Sequence, residues 1–212
     1  MESQEVAAPV EGREGGVMGA VDAEISPQKL AILEVAQVLF TQQGYEGLSI
    51  RDLAQHCGLA KATIYHHFRD KEDLFFSVLE RDLLCLRRRI VDAAVTESAP
   101  LAKLRAALCA YAQLLRERRT GMVWNLHENS QLKEHLQGFL QQRIHLVLEP
   151  WEAILEEGVA AGTLRPLNAR QCAFSLLSMV SALAFYETRV EALEIDPVEH
   201  TLDLFINGVI RR

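Results

Sequence analysis

The 212-residue sequence lacks long apolar runs, paired cysteines and an export signal. No stretch of eighteen consecutive apolar residues occurs, so we expect no membrane-spanning helix and no membrane partner. No basic segment followed by an apolar core opens the chain, which argues against a signal peptide and predicts a cytoplasmic protein. An even number of cysteines is also compatible with disulfides, but free thiols in a reducing compartment are the favoured interpretation for Cys57, Cys85, Cys109 and Cys172.

Motifs of enzyme chemistry are missing as well. The chain has no G-x-S-x-G, no G-x-x-x-x-G-K and no H-E-x-x-H pattern, so the sequence predicts neither a catalytic residue nor a cofactor. The neighbouring Glu156 and Glu157 fit a surface charge pair better than a catalytic dyad. No metal site is predicted, because His127, His135 and His145 are not spaced one helical turn apart. We therefore expect a protein that is not an enzyme.

An excess of basic residues, which proteins that bind nucleic acid usually carry, is also absent. The chain holds 22 Lys and Arg against 29 Asp and Glu, a net charge of −7, and this balance alone argues against a polyanionic partner. The acidity is concentrated, however, because residues 1–24 contain six acids and one base without any apolar period, which predicts a disordered acidic tail. Residues 25–91 hold nine bases and eight acids, so the net charge does not exclude DNA.

Strand-like alternation is absent too, and helix signals fill the rest of the chain. Ser26-Pro27 opens one helix, and Ser49 and Asp70 each open another with a carboxylate three residues further on. A long helix is expected over about 132–161, with a kink at Pro150. We predict an all-α protein of about nine helices, which include a short amphipathic piece around 123–129.

The segment Ile50–Phe68 fits a helix-turn-helix. Ala54 is small where two helices would cross, and Gly58 stands where the turn requires a positive φ. The apolar residues Leu53, Leu59 and Ile64 would close a three-helix core. Their spacing leaves the other face of the third helix polar and aromatic, and this face can enter a major groove. Its residues are Lys61, Ala62, Thr63, Tyr65, His66 and His67. The spacing by itself leaves open a helical hairpin with no role in DNA binding.

Over residues 44–79, GYEGLSIRDLAQHCGLAKATIYHHFRDKEDLFFSVL, the sequence resembles the TetR family of transcriptional regulators. The matching positions are Gly44-Tyr45, Ser49 to Ala54, Gly58-Leu59, Thr63-Ile64-Tyr65, His67-Phe68 and Lys71 to Leu74. The resemblance implies a three-helix DNA-binding domain over 26–86 and a helical ligand-binding and dimerisation domain over 87–212, behind the tail at 1–24. One departure is Lys61-Ala62, where many members have Ser-x-Gly or Pro-x-Gly, and it leaves the operator sequence open.

The resemblance also implies DNA-contacting residues. The positions of Ser49, Tyr65 and Lys71 meet phosphates in the family, and a hydroxyl, a phenol and an ammonium group all suit that contact. Base edges or nearby phosphates are met from the positions of Lys61, Ala62, Thr63 and His66. Thr63 offers both a hydroxyl and a methyl group to a base edge. His67 has two interpretations of equal weight, a DNA contact and a cap on the small core.

The last two helices are the predicted dimer interface. The helix from Cys172 to Tyr186 is apolar on nearly every side, and a second apolar stripe runs from Val198 to Val209. Family members dimerise through these two helices as a four-helix bundle, and the alternative is that both complete a monomeric core. The remaining helices would enclose an effector pocket, with Arg143 or the run Arg87 to Arg89 available to an acidic group. The candidate lining residues are Leu79, Leu83, Tyr111, Leu115, Trp124, His127, Phe139, Val147, Trp151, Phe174 and Leu177.

Together these features predict a ligand-responsive transcriptional regulator, specifically a repressor. It would bind a palindromic DNA operator as a homodimer and leave it when a small, mainly apolar effector binds. The alternative is an all-helical dimeric protein-interaction module without DNA binding.

Overall fold

The computed structural model describes residues 25–117, 130–187 and 196–209. Within these ranges the chain forms eight helices and no strand, which confirms the all-α prediction and comes close to the expected nine helices. The helices are α1 (Pro27–Gly47), α2 (Ile50–His56), α3 (Lys61–His67), α4 (Lys71–Val95), α5 (Pro100–Glu117), α6 (Ser130–Ala160), α7 (Ala169–Glu187) and α8 (Pro197–Val209). The predicted acidic tail and the helical piece around 123–129 lie outside the described residues.

The ends of the first helices follow from local chemistry. Ser26 caps α1 through its Oγ, which accepts a hydrogen bond from the Lys29 amide at 3.3 Å. Gly44 interrupts α1 with a φ of +73°, and a further turn carries the chain to Gly47. Gly58 has a φ of +64° between α2 and α3, as the helix-turn-helix spacing predicted. These glycines allow the changes of direction along α1 and between α2 and α3.

An N-terminal core holds α1, α2 and α3 together. Leu53 and Ile64 are completely buried in it, which confirms their predicted role in closing the three-helix unit. The core also contains a cluster of rings, in which Phe40 lies 5.1 Å from Phe75 and both contact Tyr45. Offset and edge-to-face ring pairs of this kind add packing energy to the buried apolar area. We call α1 to α3 the reading head.

A separate C-terminal core is built by α4 to α8. Trp151 and Leu155 of α6 are completely buried at its centre, among side chains from α5 and α7. Gly158 allows the end of α6 to pass close to the following loop, since a Cβ at this position would lie 2.7 Å from Leu164 Cδ1. Among the described residues, no helix is both long and apolar enough to cross a membrane.

Two helices belong to both cores. The first turns of α4 bury Leu74 and Val78 in the N-terminal core, whereas its later turns bury Ile90 in the C-terminal core. Helix α6 does the same, because Leu132 and Leu136 pack into the N-terminal core. The N-terminal core is therefore completed by the first turns of α4 and the start of α6, and both helices continue into the C-terminal core.

Candidate DNA interface and effector core

The outward face of α3 carries most of the predicted DNA contacts. Ile64 is completely buried and fixes the rotation of this helix against the core. On the other side Lys61, Ala62 and His66 are exposed, Tyr65 is 52% exposed and Thr63 is half-buried. The structure therefore brings these five predicted residues to one short helix face, which is the size of element that a major groove admits.

Ser49 is exposed at the start of α2 and already has two local hydrogen bonds. Its Oγ accepts from the amide of Asp52 at 3.1 Å and donates to Asp52 Oδ2 at 2.6 Å. The bond from the Asp52 amide is the N-cap bond that the spacing predicted, and the Asp52 carboxylate contacts the Ser49 hydroxyl. Because the hydroxyl proton points at Asp52, donation to a phosphate requires the hydroxyl to rotate.

Lys71, at the start of α4, lies against the end of α1. Its Nζ donates to the carbonyl oxygen of Glu46 at 3.4 Å and lies 4.4 Å above the centre of the Tyr45 ring. Burial lowers the pKa of Lys71, and the nearby Glu46 carboxylate acts in the opposite direction. The pKa of Tyr45 is raised to about 12, mainly by burial and then by Glu72, so its ring stays neutral beneath the ammonium group. These contacts of Lys71 with Glu46 and Tyr45 were not predicted from the sequence.

The His67 side chain contacts the start of α1 as well as its neighbours in sequence. Its Nε2 lies 3.0 Å from Gln28 Oε1 at the start of α1, and its ring contacts those of His66 and Phe68. This hydrogen bond ties α3 to α1, and it favours the interpretation of His67 as a cap on the reading head. The His67 side chain is half-buried, in contrast to the exposed His66.

The predicted effector-lining residues divide between several places. Trp124 and His127 lie outside the described residues. Leu79 and Phe139 pack in or against the N-terminal core, because they stand on the parts of α4 and α6 that reach the reading head. Phe174 is 57% exposed on α7. The other six lie in or against the C-terminal core, namely Leu83, Tyr111, Leu115, Val147, Trp151 and Leu177.

Polar groups from three helices meet the apolar C-terminal core. The hydroxyl of Tyr111 on α5 shares a hydrogen bond of 2.7 Å with Ser181 Oγ on α7. The Tyr111 ring stands edge-on to Trp151 of α6, with centroids 6.2 Å apart. Within the described part of the chain, the buried Trp151 Nε1 has no hydrogen-bond partner. Ser181 was not among the predicted lining residues, although serine in an otherwise apolar helix was the available signal.

A groove of about 410 Å³ separates the first turns of α4 from α6. Phe76 and Phe139 stack across it with centroids 4.9 Å apart, and the guanidinium of Arg143 covers Phe139 at 4.3 Å. Arg143 Nε also donates to Glu80 Oε1 at 2.8 Å. His135 Nδ1 lies 2.8 Å from a Glu72 carboxylate oxygen. These contacts join α6 to the first turns of α4.

The basic side chains considered for an acidic effector group have carboxylate partners in the structure. Arg143 pairs with Glu80, as described above. The other pairs are Arg87 with Glu149, Arg88 with Asp92 and Arg89 with Glu117. No disulfide joins any of the four cysteines, all of which lie in the described ranges. In the same ranges no group of three or more His, Cys, Asp or Glu side chains has the arrangement of a metal site.

A three-helix head with an exposed recognition helix, joined to a larger helical unit, defines the class of helix-turn-helix transcription regulators. Residues 32–78 match the family model of bacterial regulatory proteins of the tetR family, and residues 97–185 match the model of the tetracyclin repressor-like C-terminal domain. The chain belongs to the TetR family, which confirms the resemblance found in the sequence.

Individual relatives agree with this assignment. The chain is 31% identical over 136 residues to the transcriptional repressor KstR2 of Mycolicibacterium smegmatis, a match that spans 64% of this chain and 66% of that protein. The fold is similar to that of Bacillus subtilis FadR in complex with stearoyl-CoA, with a TM-score of 0.65, 21% identity and coverage of 84% and 98% of the two chains. It is also similar to that of AibR in complex with isovaleryl coenzyme A and operator DNA, with a TM-score of 0.60, 24% identity and coverage of 86% and 98%.

Proposed function

We propose that this protein is a ligand-responsive transcriptional repressor that binds a palindromic operator as a homodimer. The observation that carries the proposal is the exposed face of α3, which presents Lys61, Thr63 and Tyr65 outward while Ile64 is completely buried. A repressor of this kind acts in the cytoplasm, where thiols stay reduced, and needs no catalytic activity. The repressor function of its relative KstR2 supports this proposal.

The dimer is proposed to form through α7 and α8. One face of these helices completes the C-terminal core, since Leu176, Val180 and Leu202 are buried within a single chain. Another face leaves large apolar side chains in solvent, with Phe174 57% and Leu204 52% exposed. Covering such side chains with a second copy would remove apolar area from water and place two reading heads on one DNA duplex.

We propose that the effector is an acyl thioester, whose acyl chain is its apolar part. The acyl-CoA molecules in the FadR and AibR complexes support this class of ligand. The C-terminal core offers an apolar environment for an acyl chain, built around Trp151 and Leu177. Binding would favour operator release only if the effector prefers the arrangement of helices in which the two heads no longer match the operator.

Helices α4 and α6 provide the route between the effector and the head. Both have one end in the N-terminal core and the other in the C-terminal core. A shift of α6 in the effector core would therefore move Leu132 and Leu136 within the N-terminal core, to which the reading head also belongs. The ion pair between Arg143 and Glu80 would transmit the same movement to α4.

The test is operator binding by the purified full-length protein. DNA from upstream of its own gene is mixed with the protein at moderate salt, and a shuffled duplex of equal length serves as the control. We expect a complex specific to the upstream DNA, with Thr63→Ala changing the preferred bases and Tyr65→Phe weakening binding. If the protein shows no sequence preference, the repressor proposal is wrong. If both variants keep every activity, the protein-interaction alternative is favoured.

A further inference from the structure

We propose that Trp151 recognises the effector by donating its indole N–H to a neutral carbonyl oxygen, which is that of the thioester in an acyl-CoA. This inference rests on the proposed function and adds a residue that determines which ligand is accepted. It is based on the indole nitrogen of Trp151, which is buried in the C-terminal core and has no hydrogen-bond partner among the described residues.

The indole nitrogen of Trp151 is a buried donor that lacks an acceptor. The side chain is 0% exposed, and within the described residues no hydrogen-bond partner lies near Nε1. An indole N–H can only donate a hydrogen bond, so it must be paired with an acceptor. Buried polar groups in folded proteins are nearly always paired, and an unpaired one calls for a specific explanation. A ligand acceptor that becomes buried beside Trp151 supplies the missing partner.

Among the described residues, the C-terminal core around Trp151 contains no fully buried cation, which favours a neutral acceptor. The buried side chains of the C-terminal core are apolar apart from Tyr111, whose hydroxyl already bonds to Ser181, and Thr201 of α8. Glu152, the residue after Trp151, has a buried carboxylate oxygen without a hydrogen-bond partner in the described part of the chain, and its negative charge also disfavours a second carboxylate. Among the described residues, Arg81 is the buried charged side chain, and it forms an ion pair with Glu34 of α1. A carboxylate brought into this core would be desolvated without a cation to compensate it. A thioester carbonyl accepts a hydrogen bond without carrying that charge.

The position of Trp151 also connects recognition to the response. Trp151 lies in closely packed surroundings, with Leu155 and Val180 at 0% exposure in the same core. An acyl chain therefore enters only if α6 separates from its neighbours. The same helix carries Leu132 and Leu136 into the N-terminal core, so α6 connects the surroundings of Trp151 to that core along one helix, which contains Pro150.

The experiment compares ligands that offer different groups to Trp151, and the thioester and thioether differ only at the carbonyl group. Straight-chain acyl-CoA thioesters are titrated into the full-length protein by calorimetry, each beside the S-alkyl-CoA thioether of the same chain length and the free fatty acid. The thioether keeps the chain and the coenzyme but lacks the carbonyl oxygen. For the wild-type protein we expect the best thioester to bind roughly tenfold more tightly than its thioether, the size of effect that one neutral hydrogen bond gives. The free acid should bind most weakly.

Two variants locate this preference at Trp151. Trp151→Phe removes the donor and keeps an aromatic ring, so the thioester should lose roughly tenfold in affinity while the thioether changes little. Leu148→Ala is the matched control, because Leu148 is buried on the same helix and carries no donor. It should weaken both ligands equally and leave their ratio unchanged. Since the ratio is measured within each protein, general loss of packing does not imitate the expected result.

Several outcomes overturn the inference. It is wrong if no thioester binds, if wild-type protein does not distinguish thioester from thioether, or if the free acid binds most tightly. It is also wrong if Trp151→Phe keeps the wild-type ratio. Should Trp151→Phe fail to fold, equal affinities of the thioester and the thioether for the wild-type protein still overturn the inference. Operator binding without ligand is measured separately, so failure of the repressor proposal is distinguishable from failure of this one.

Discussion

Lys71 provides a direct test of the proposed DNA interface. Its ammonium group, at the start of α4, is held beside the carbonyl oxygen of Glu46 at 3.4 Å and above the Tyr45 ring at 4.4 Å. Lys71→Ala therefore removes the proposed phosphate contact and leaves the proposed base-reading residues of α3 unchanged. In a dimer the substitution removes two such cations.

The size of the effect follows from counterion release. Each phosphate contact contributes about 0.9 to the slope of log affinity against log salt concentration, so two lost contacts lower the slope by about 1.8. Between 50 and 200 mM salt, wild-type protein should then lose about 12-fold more affinity than the variant. Loss of the contact with Tyr45 should cost about 0.5–1 kcal/mol of folding stability, or roughly 1–4 °C in Tm.

The assay is fluorescence anisotropy with operator and shuffled duplexes across this range of salt. Lys71→Ala should weaken binding to both duplexes by a similar factor, because phosphates carry no sequence information. Lys103→Ala is the matched control, since Lys103 is also partly buried but pairs with Glu157 at 2.8 Å in the C-terminal unit. A slope equal to that of the wild type, or a loss confined to the operator, would refute the assignment of Lys71 to a phosphate.

Two further predictions concern stability. Gly158→Ala should lose about 1–3 kcal/mol in urea unfolding, because its new Cβ would lie 2.7 Å from the buried Leu164. Gly138→Ala in the same helix has open space and should gain up to about 1 kcal/mol, so equal effects would contradict this account. The backbone and side-chain N–H groups of Arg69 lower the pKa of Asp73. Wild-type protein should therefore be more stable than Asp73→Asn above the ordinary carboxyl pKa of about 4, and should lose that advantage as the pH falls through the lowered pKa. Unfolding measured from pH 7 to pH 3 checks this, and a constant difference would count against it.

The parts of the fold that were predictable from the sequence depend on short-range chemistry. The cap at Ser49 and the positive φ at Gly58 involve residues within a few positions of each other. The burial of Leu53 and Ile64 follows from periodicity over a short stretch, where little else determines which side of the helix faces inward. The same locality explains why the exposed face of α3 was predicted residue by residue.

The effector-lining residues were harder to predict, for a physical reason. Periodicity shows that Leu79 and Phe139 are on apolar faces, but it does not show which core those faces meet. Both residues stand near the ends of α4 and α6 that reach the reading head, and this depends on the path of the whole chain. Phe174 belongs to an apolar helix with two apolar faces, and only the packing of its neighbours shows that it is exposed. The cation–π contact between Lys71 and Tyr45 joins residues that the sequence places in different helices.

The attachment of α6 to the reading head has a consequence for exchanging parts between regulators. A fragment that ends after α4 would keep α1 to α3 but leave behind Leu132 and Leu136, which occupy part of its core. The fragment would then expose the apolar side chains that Leu132 and Leu136 cover, and it would tend to self-associate. A chimera that combines this head with another sensor must therefore recreate the two leucine contacts, because the separable unit is defined by packing and is not continuous along the chain.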